Sequence, residues 1–129
     1  MIKPLFQNVL IVINGTETSI RAAKYGILMA KVYKCKLNAI YVVDTATLNQ
    51  LTAAKFFVPE ESREYEQNLS SDGKKYLTYV QDLAKVLNVN VTTNLCYGSI
   101  YTETINFSEK NNIDLILLGG RDTNEGKFD

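Results

Sequence analysis

The chain has 129 residues, of which 46% are apolar and 22% are charged, and its 14 basic residues balance its 14 acidic ones. This composition is ordinary for one globular domain with a hydrophobic core, and it excludes disordered and fibrous classes. Balanced charge without a cluster of lysines and arginines argues against nucleic-acid binding through phosphate contacts. No apolar run is long enough to span a membrane and the N-terminus lacks a signal-peptide pattern, so we expect a cytoplasmic protein without a membrane partner.

Histidine is absent from the sequence. Its absence removes the common zinc sites, the serine and cysteine nucleophiles activated by histidine, and the usual proton shuttle at neutral pH. Cys35 and Cys96 are the only cysteines. Both lie at or inside predicted strands, so we interpret them as reduced core residues of a cytosolic protein, and we predict no metal site.

The first third of the chain alternates strand and helix patterns. Residues 8–14 form a short apolar run rich in β-branched side chains, which is typical of a parallel strand buried on both faces. Gly15 breaks this run, and Thr16 supplies N-cap chemistry for a helix. Residues 36–43 predict a second strand that ends at Asp44. The helix between the strands carries a narrow apolar stripe: Ile20, Ala23, Ile27 and Ala30.

The middle of the chain is less regular. Residues 45–62 predict a long connection of the kind that serves as a lid or an interface, and Phe56 with Phe57 could instead be a hydrophobic plug over the core. A long helix follows, but its start is open because Gly73 and its polar neighbours are typical of a cap or a break. The apolar face of this helix consists of Tyr76, Val80, Leu83 and Leu87.

The last third of the chain completes a βαβαβαβ order. Residues 91–97 alternate apolar and polar side chains, as an exposed edge strand does, Ser99 caps a third helix, and residues 113–118 predict a fourth strand. Right-handed crossovers then predict an α/β fold with a doubly wound, open parallel sheet in three α/β/α layers, for which we expect the strand order 3-2-1-4. In that order the first and fourth strands are neighbours at the switch point, where ligands bind at the carboxyl ends.

Gly119 and Gly120 follow the fourth strand directly. An apolar strand ending in glycines is how many α/β proteins begin a phosphate loop, because glycine lets backbone N–H groups approach an anion. Such a loop needs a following helix, whereas here a short polar stretch follows. We therefore divide the chain into a domain at residues 1–120 and a polar tail at residues 121–129 that holds an incomplete phosphate loop.

These segments together resemble the universal stress protein family. Residues 9–19 are similar to its opening strand and turn, where aspartate-glycine-serine is common and Asn14 stands in place of the aspartate. Residues 39–44 resemble its second strand, and residues 97–105 and 114–119 resemble its third helix and fourth strand. The resemblance spans residues 8–120 and lacks the family's final helix and fifth strand.

The resemblance implies an adenine-nucleotide pocket with a degenerate phosphate-binding loop. Members that bind ATP carry a glycine, two residues, a second glycine, nine residues, and then glycine with serine or threonine. Gly119 fits the first position, Asp122 occupies the second, and the third falls beyond Asp129. We therefore expect at most weak binding of ATP or AMP, and a homodimer as in many members. The candidate pocket residues are Asn14, Gly15, Thr16, Val42, Val43, Leu118, Gly119 and Gly120.

Three hypotheses follow for the function. The first is a non-enzymatic stress-response or signalling module with a degenerate nucleotide pocket, and the second is a truncated form of an ATP-binding member. The third is an enzyme that uses Glu17, Asp44 and Glu103, although these carboxylates are better interpreted as caps or surface groups. A receiver domain is disfavoured because Asn14 and Gly15 replace its acidic pair.

Overall fold

The computed structural model describes residues 5–120. The elements within that range are β1 (Asn8–Ile13), α1 (Glu17–Tyr33), β2 (Lys36–Asp44), α2 (Thr45–Ala53), α3 (Pro59–Val86), β3 (Val91–Gly98), α4 (Ile100–Lys110) and β4 (Leu115–Leu118). The predicted polar tail lies outside the described residues.

All four strands form one parallel sheet in the order β3-β2-β1-β4. This confirms the predicted α/β class and strand order. Helices α1 and α3 pack on one face and α4 packs on the other. The central strand β1 shows why its sequence is continuously apolar, since its alternate side chains enter two different cores and all of them are buried: Val9, Ile11 and Ile13 on the α1 and α3 side, and Leu10 and Val12 on the α4 side.

The two outer strands differ in how well the sequence predicted them. Strand β3 lies at one end of the sheet with alternating exposure, as its pattern indicated. Strand β4 is shorter than predicted because the N–H of Ile113 donates to the Ser108 carbonyl at 2.9 Å and closes the end of α4. Asp114 accepts hydrogen bonds from the backbone N–H groups of Gln7 and Asn8 at 3.0 Å and 3.2 Å. These bonds tie the start of β4 to the start of β1.

The segment after β2 is more regular than predicted. Residues 45–53 form the helix α2, whose N-cap is Asp44: its carboxylate accepts the Thr47 N–H at 3.0 Å. The sequence hid this helix because only Leu48 of it is buried, so it has no apolar stripe. The hydrophobic plug is wrong for Phe56, which is 75% exposed, whereas Phe57 packs against the Tyr65 ring at 5.9 Å.

Helix α3 begins at Pro59 and runs without a break to Val86. Pro59 suits the first helical position, and the Glu61 carboxylate accepts the Val58 N–H at 3.2 Å. The predicted cap or break at Gly73 is absent, because this glycine is buried where α3 approaches the sheet. A Cβ there would lie 2.5 Å from Tyr41 Cδ1 and 2.7 Å from Leu95 Cδ1. Gly73 therefore permits close packing and does not end the helix.

None of the helices between residues 5 and 120 combines the length and the apolar character that a bilayer span requires.

Candidate functional site

The carboxyl edge of the sheet contains a step between neighbouring strands. The pairing of β1 with β2 ends at Ile13 and Tyr41, whereas β2 continues along β3 as far as Asp44. On the other side, Leu118 is the last residue of β4 and pairs with Val12. The edge of β2 that faces β1 therefore has no strand partner over residues 42–44. The step lies at the carboxyl edge of the sheet on the β2 side of β1, whereas the switch point predicted from the strand order lies on the β4 side of β1.

The loop between β1 and α1 forms one wall of the step, and its polar groups bind one another. Asn14 Oδ1 accepts hydrogen bonds from the Thr16 N–H at 3.0 Å and the Thr16 hydroxyl at 2.6 Å. Thr16 Oγ1 accepts the Ser19 N–H at 3.2 Å, and the buried Ser19 hydroxyl donates to the Thr16 carbonyl at 2.8 Å. Gly15 has a φ of 82°, in the left-handed region, which makes this tight turn possible.

This hydrogen-bond pattern determines what Asn14 can offer a ligand. Its Oδ1 is identified as the acceptor because both of its partners donate. Its Nδ2 makes no hydrogen bond to the described part of the chain, and the residue is exposed. Asn14 therefore presents N–H donors, whereas the aspartate common in the family presents acceptors.

The opposite wall of the step offers backbone groups only. The side chains of Val42 and Val43 are 9% and 0% exposed, so these residues can meet a ligand only through their peptide groups. The Asp44 carboxylate binds both the N–H and the hydroxyl of Thr47, at 3.0 Å and 2.8 Å. Its oxygens already cap α2, so the acidic residue at the end of β2 has a structural partner.

The end of β4 contributes an apolar side chain and two glycines with different surroundings. Leu118 is 65% exposed. A Cβ on Gly119 would lie 2.5 Å from the Ser19 backbone nitrogen, so glycine is required here for contact with the start of α1. Gly120 has no neighbouring atom within 4 Å of its Cβ position. The first glycine of the apparent phosphate loop is thus explained by packing alone.

A cavity of about 300 Å³ adjoins this end of β4. Its polar lining comes from Thr18, Arg21 and Tyr25 of α1, and its apolar lining includes Leu117 and Leu118. Arg21 also forms an exposed ion pair with Glu17, with 3.4 Å between Nη2 and Oε1. Sequence reasoning missed Thr18 and Arg21; their position in the first turns of α1, beside the capping Thr16, was the available signal.

Tyr76 is a second residue near the site that the sequence did not assign to it. Its ring stacks on that of Tyr41, with 6.2 Å between centroids and a 10° interplanar angle, and lies 2.9 Å from the Cβ position of Gly15. Helical periodicity placed Tyr76 on the apolar face of α3, but not against the β1–α1 loop. Burial raises the pKa of the Tyr41 phenol, and the negative charge of Asp72 adds to this effect, so this phenol remains neutral at physiological pH.

The carboxylates proposed for catalysis have other contacts. Glu17 pairs with Arg21, Asp44 caps α2, and Glu103 packs against Gly98, with its Oε2 3.0 Å from the Cβ position. Among residues 5–120, no group of three acidic or cysteine side chains is arranged to hold a metal ion. Asp122, which occupies the second glycine position of the motif, lies outside the described residues.

Comparison with known proteins agrees with this architecture. The model of the universal stress protein family matches residues 5–128. Universal stress protein MJ0531 of Methanocaldococcus jannaschii is 32% identical over 116 residues, covering 89% of this chain and 65% of that protein. The chain thus spans just under two thirds of the length of this curated relative.

Solved structures support the same fold. A universal stress family protein from Burkholderia pseudomallei superposes with a TM-score of 0.75 at 17% identity, covering 89% of this chain and 82% of that one. A universal stress protein solved in complex with cAMP superposes with a TM-score of 0.55 at 15% identity, covering 86% and 70%. Because the family model matches residues 5–128, nearly the whole sequence, the chain belongs to the universal stress protein family.

Proposed function

We propose that this protein is a non-enzymatic stress-response or signalling module that binds an adenine nucleotide weakly at the carboxyl edge of its sheet. The observation that carries the proposal is the step between β1 and β2. There the backbone edge of residues 42–44 has no strand partner, and Asn14 directly follows the last paired residue of β1. A base can pair with free peptide groups of β2, and the Asn14 N–H groups can donate to ribose oxygens. The cAMP complex of a structural relative supports an adenine nucleotide as the ligand class.

Weak binding follows from the few phosphate donors that the described residues offer. The N–H groups of Thr16 and Ser19 are already bound within the loop, and Arg21 shares its charge with Glu17. Micromolar affinity requires about −8 kcal/mol, and hydrogen bonds to a charged group contribute about 1.5–3 kcal/mol each. A site that lacks three such bonds to the phosphates loses about 5–9 kcal/mol of binding free energy. Only contacts with the adenosine part of the nucleotide then remain.

The absence of catalysis is part of the same proposal. The sequence has no histidine, and the carboxylates nearest the step serve as a cap and as an ion-pair partner. We therefore expect no nucleotide hydrolysis above the uncatalysed rate.

Calorimetric titration with adenosine, AMP and ATP tests the proposal. We expect all three to bind within about tenfold of one another, because the phosphates add little free energy. The variant Leu118→Ala should weaken all three, since it removes an exposed wall of the pocket. Val86→Ala is the matched control, because Val86 is 82% exposed at the end of α3. Submicromolar ATP binding, or ATP binding a hundredfold tighter than adenosine binding, would contradict the proposal that the phosphates contribute little to the binding free energy.

A homodimer is a separate part of the proposal. Strand β4 is wholly apolar, it ends the sheet among the described residues, and its Leu118 is exposed. Apolar strands at a sheet edge favour pairing with another chain. Sedimentation velocity at several protein concentrations should show a dimer, and a single monomeric species at all concentrations would contradict it.

The alternative remains that the chain is a truncated form of an ATP-binding member. It is supported by the 65% coverage of the M. jannaschii relative. The reading frame beyond Asp129 distinguishes the two: a natural stop codon there would contradict truncation.

A further inference from the structure

A second cavity lies at the amino-terminal edge of the sheet, opposite the step described above. Its volume is about 520 Å³, within the range of small-molecule sites. It is open to solvent, and the connections that follow α1 and α3 line it together with the first residues of β2 and β3. Its polar lining consists of Lys31, Lys34, Lys36, Asn88, Asn90 and Thr92.

The lining of this cavity is positively charged. Three lysines contribute to it and no acidic side chain does. The ion pairs found among residues 5–120 are made by Arg21 and Arg63, so these lysines have no ion-pair partner in that range. Burial raises the pKa of the Cys35 thiol, which also lines the cavity, so the thiol adds no negative charge at neutral pH.

Two helix ends oppose this positive charge but do not cancel it. The carboxyl ends of α1 and α3 lie beside the cavity, and each carries about half a negative charge. Three ammonium groups against about one negative charge leave a net charge of about +2. The negative charge of Asp114 contributes to the raised pKa of Cys35, and the Asp114 carboxylate accepts hydrogen bonds from the N–H groups of Gln7 and Asn8.

The backbone at the mouth of the cavity is held in an unusual conformation. Lys34 has a φ of 60° and is the C-cap of α1, a position where glycine is the common residue. Asn88 has a φ of 57° in the connection after α3. A lysine in the left-handed region costs conformational free energy, and the same holds for Lys55, which does not line this cavity.

From this cavity, its three lysines and its amide and hydroxyl donors, we propose a binding site for a small phosphate-bearing anion that carries at least two negative charges, a class that includes pyrophosphate. The ammonium groups neutralise the phosphate oxygens, and the donors of Asn88, Asn90 and Thr92 fix their orientation. This site is independent of the nucleotide site proposed above, because it lies at the other end of the strands.

Titration of the full ¹⁵N-labelled chain with pyrophosphate, at constant ionic strength set by sodium chloride, tests the proposal. We expect saturable amide shifts at Lys36, Asn88 and Asn90. The variant Lys34→Gly should weaken pyrophosphate binding about tenfold. It removes the charge while relieving the left-handed backbone, so unfolding cannot explain the loss. Lys55→Gly is the matched control, because Lys55 also has a positive φ, of 65°, and does not line this cavity.

Three outcomes would overturn the proposal. These are equal weakening by Lys34→Gly and Lys55→Gly, shifts that rise linearly without saturation, and shifts that sodium sulfate reproduces at a lower concentration than pyrophosphate. The variant Leu118→Ala separates this proposal from the nucleotide proposal. It should leave pyrophosphate binding unchanged, and this expectation holds whether or not the unaltered protein binds adenosine.

Discussion

Gly73→Ala tests directly how α3 meets the sheet. In an exposed helix this substitution would stabilise by about 1 kcal/mol, because alanine has the higher helix propensity. Here the new methyl carbon would lie 2.5 Å and 3.0 Å from two ring carbons of Tyr41 and 2.7 Å from Leu95 Cδ1. Tyr41 is 7% exposed and stacked on Tyr76, so its ring has little room to move.

The balance of these two effects predicts a net loss. Overpacking in a closed core costs about 1–3 kcal/mol, and the rigid ring favours the upper half of that range. After the propensity gain, we expect Gly73→Ala to lower the free energy of unfolding by about 1–2 kcal/mol. Urea unfolding followed by far-ultraviolet circular dichroism should show a lower midpoint with an unchanged slope.

Ser71→Ala is the matched control for this prediction. Ser71 is exposed in the same helix, so its replacement should change stability by only a few tenths of a kcal/mol, in the stabilising direction. If Gly73→Ala stabilised the protein by about 1 kcal/mol, α3 would not approach β2 at this point. The explanation of the buried glycine would then be wrong.

Three further predictions concern other contacts. Gly26→Ala should lower the free energy of unfolding by about 1 kcal/mol despite the helix propensity of alanine, because its Cβ would lie 2.8 Å from a buried β1 side chain; urea unfolding checks this. Thr16→Ala should cost about 1 kcal/mol through loss of the N-cap bond to Ser19, whereas an unchanged midpoint would contradict the cap. Cys35 and Cys96 have pKa values that burial raises, so their thiolate fractions are depressed near pH 8. Iodoacetamide should therefore modify both more slowly in the folded protein than in urea, with the difference narrowing as pH rises through the raised pKa; equal rates at pH 8 would refute it.

The strands of the fold were predictable because their signals are local. A strand buried on both faces must be continuously apolar, and residues 8–14 and 36–43 are so with little interruption. The alternation of β3 similarly revealed an edge. The preference for right-handed crossovers then decides on which face of the sheet each helix packs, and the expected order 3-2-1-4 agrees with the observed one.

The helices show where local signals fail. Helix α2 buries only Leu48, so it has no periodic stripe to detect. Gly73 resembles a helix break in sequence, because propensity describes an isolated helix and ignores the sheet beneath it. The same limit applies to Phe56, whose apolar side chain suggested burial but is 75% exposed.

The candidate site likewise combines features that the sequence predicted with features that it did not reveal. The patterns along the chain predicted that Asn14, Gly15 and Thr16 lie beside the end of β4, because adjacent parallel strands bring these segments to the same edge of the sheet. Which of their atoms remain available could be learned only from the folded structure. It commits Asn14 Oδ1 to the turn, buries the side chains of Val42 and Val43, and explains Gly119 by contact with α1. The physical reason is that topology follows from patterns within single elements, whereas the availability of a hydrogen-bonding group depends on neighbours that are distant in sequence.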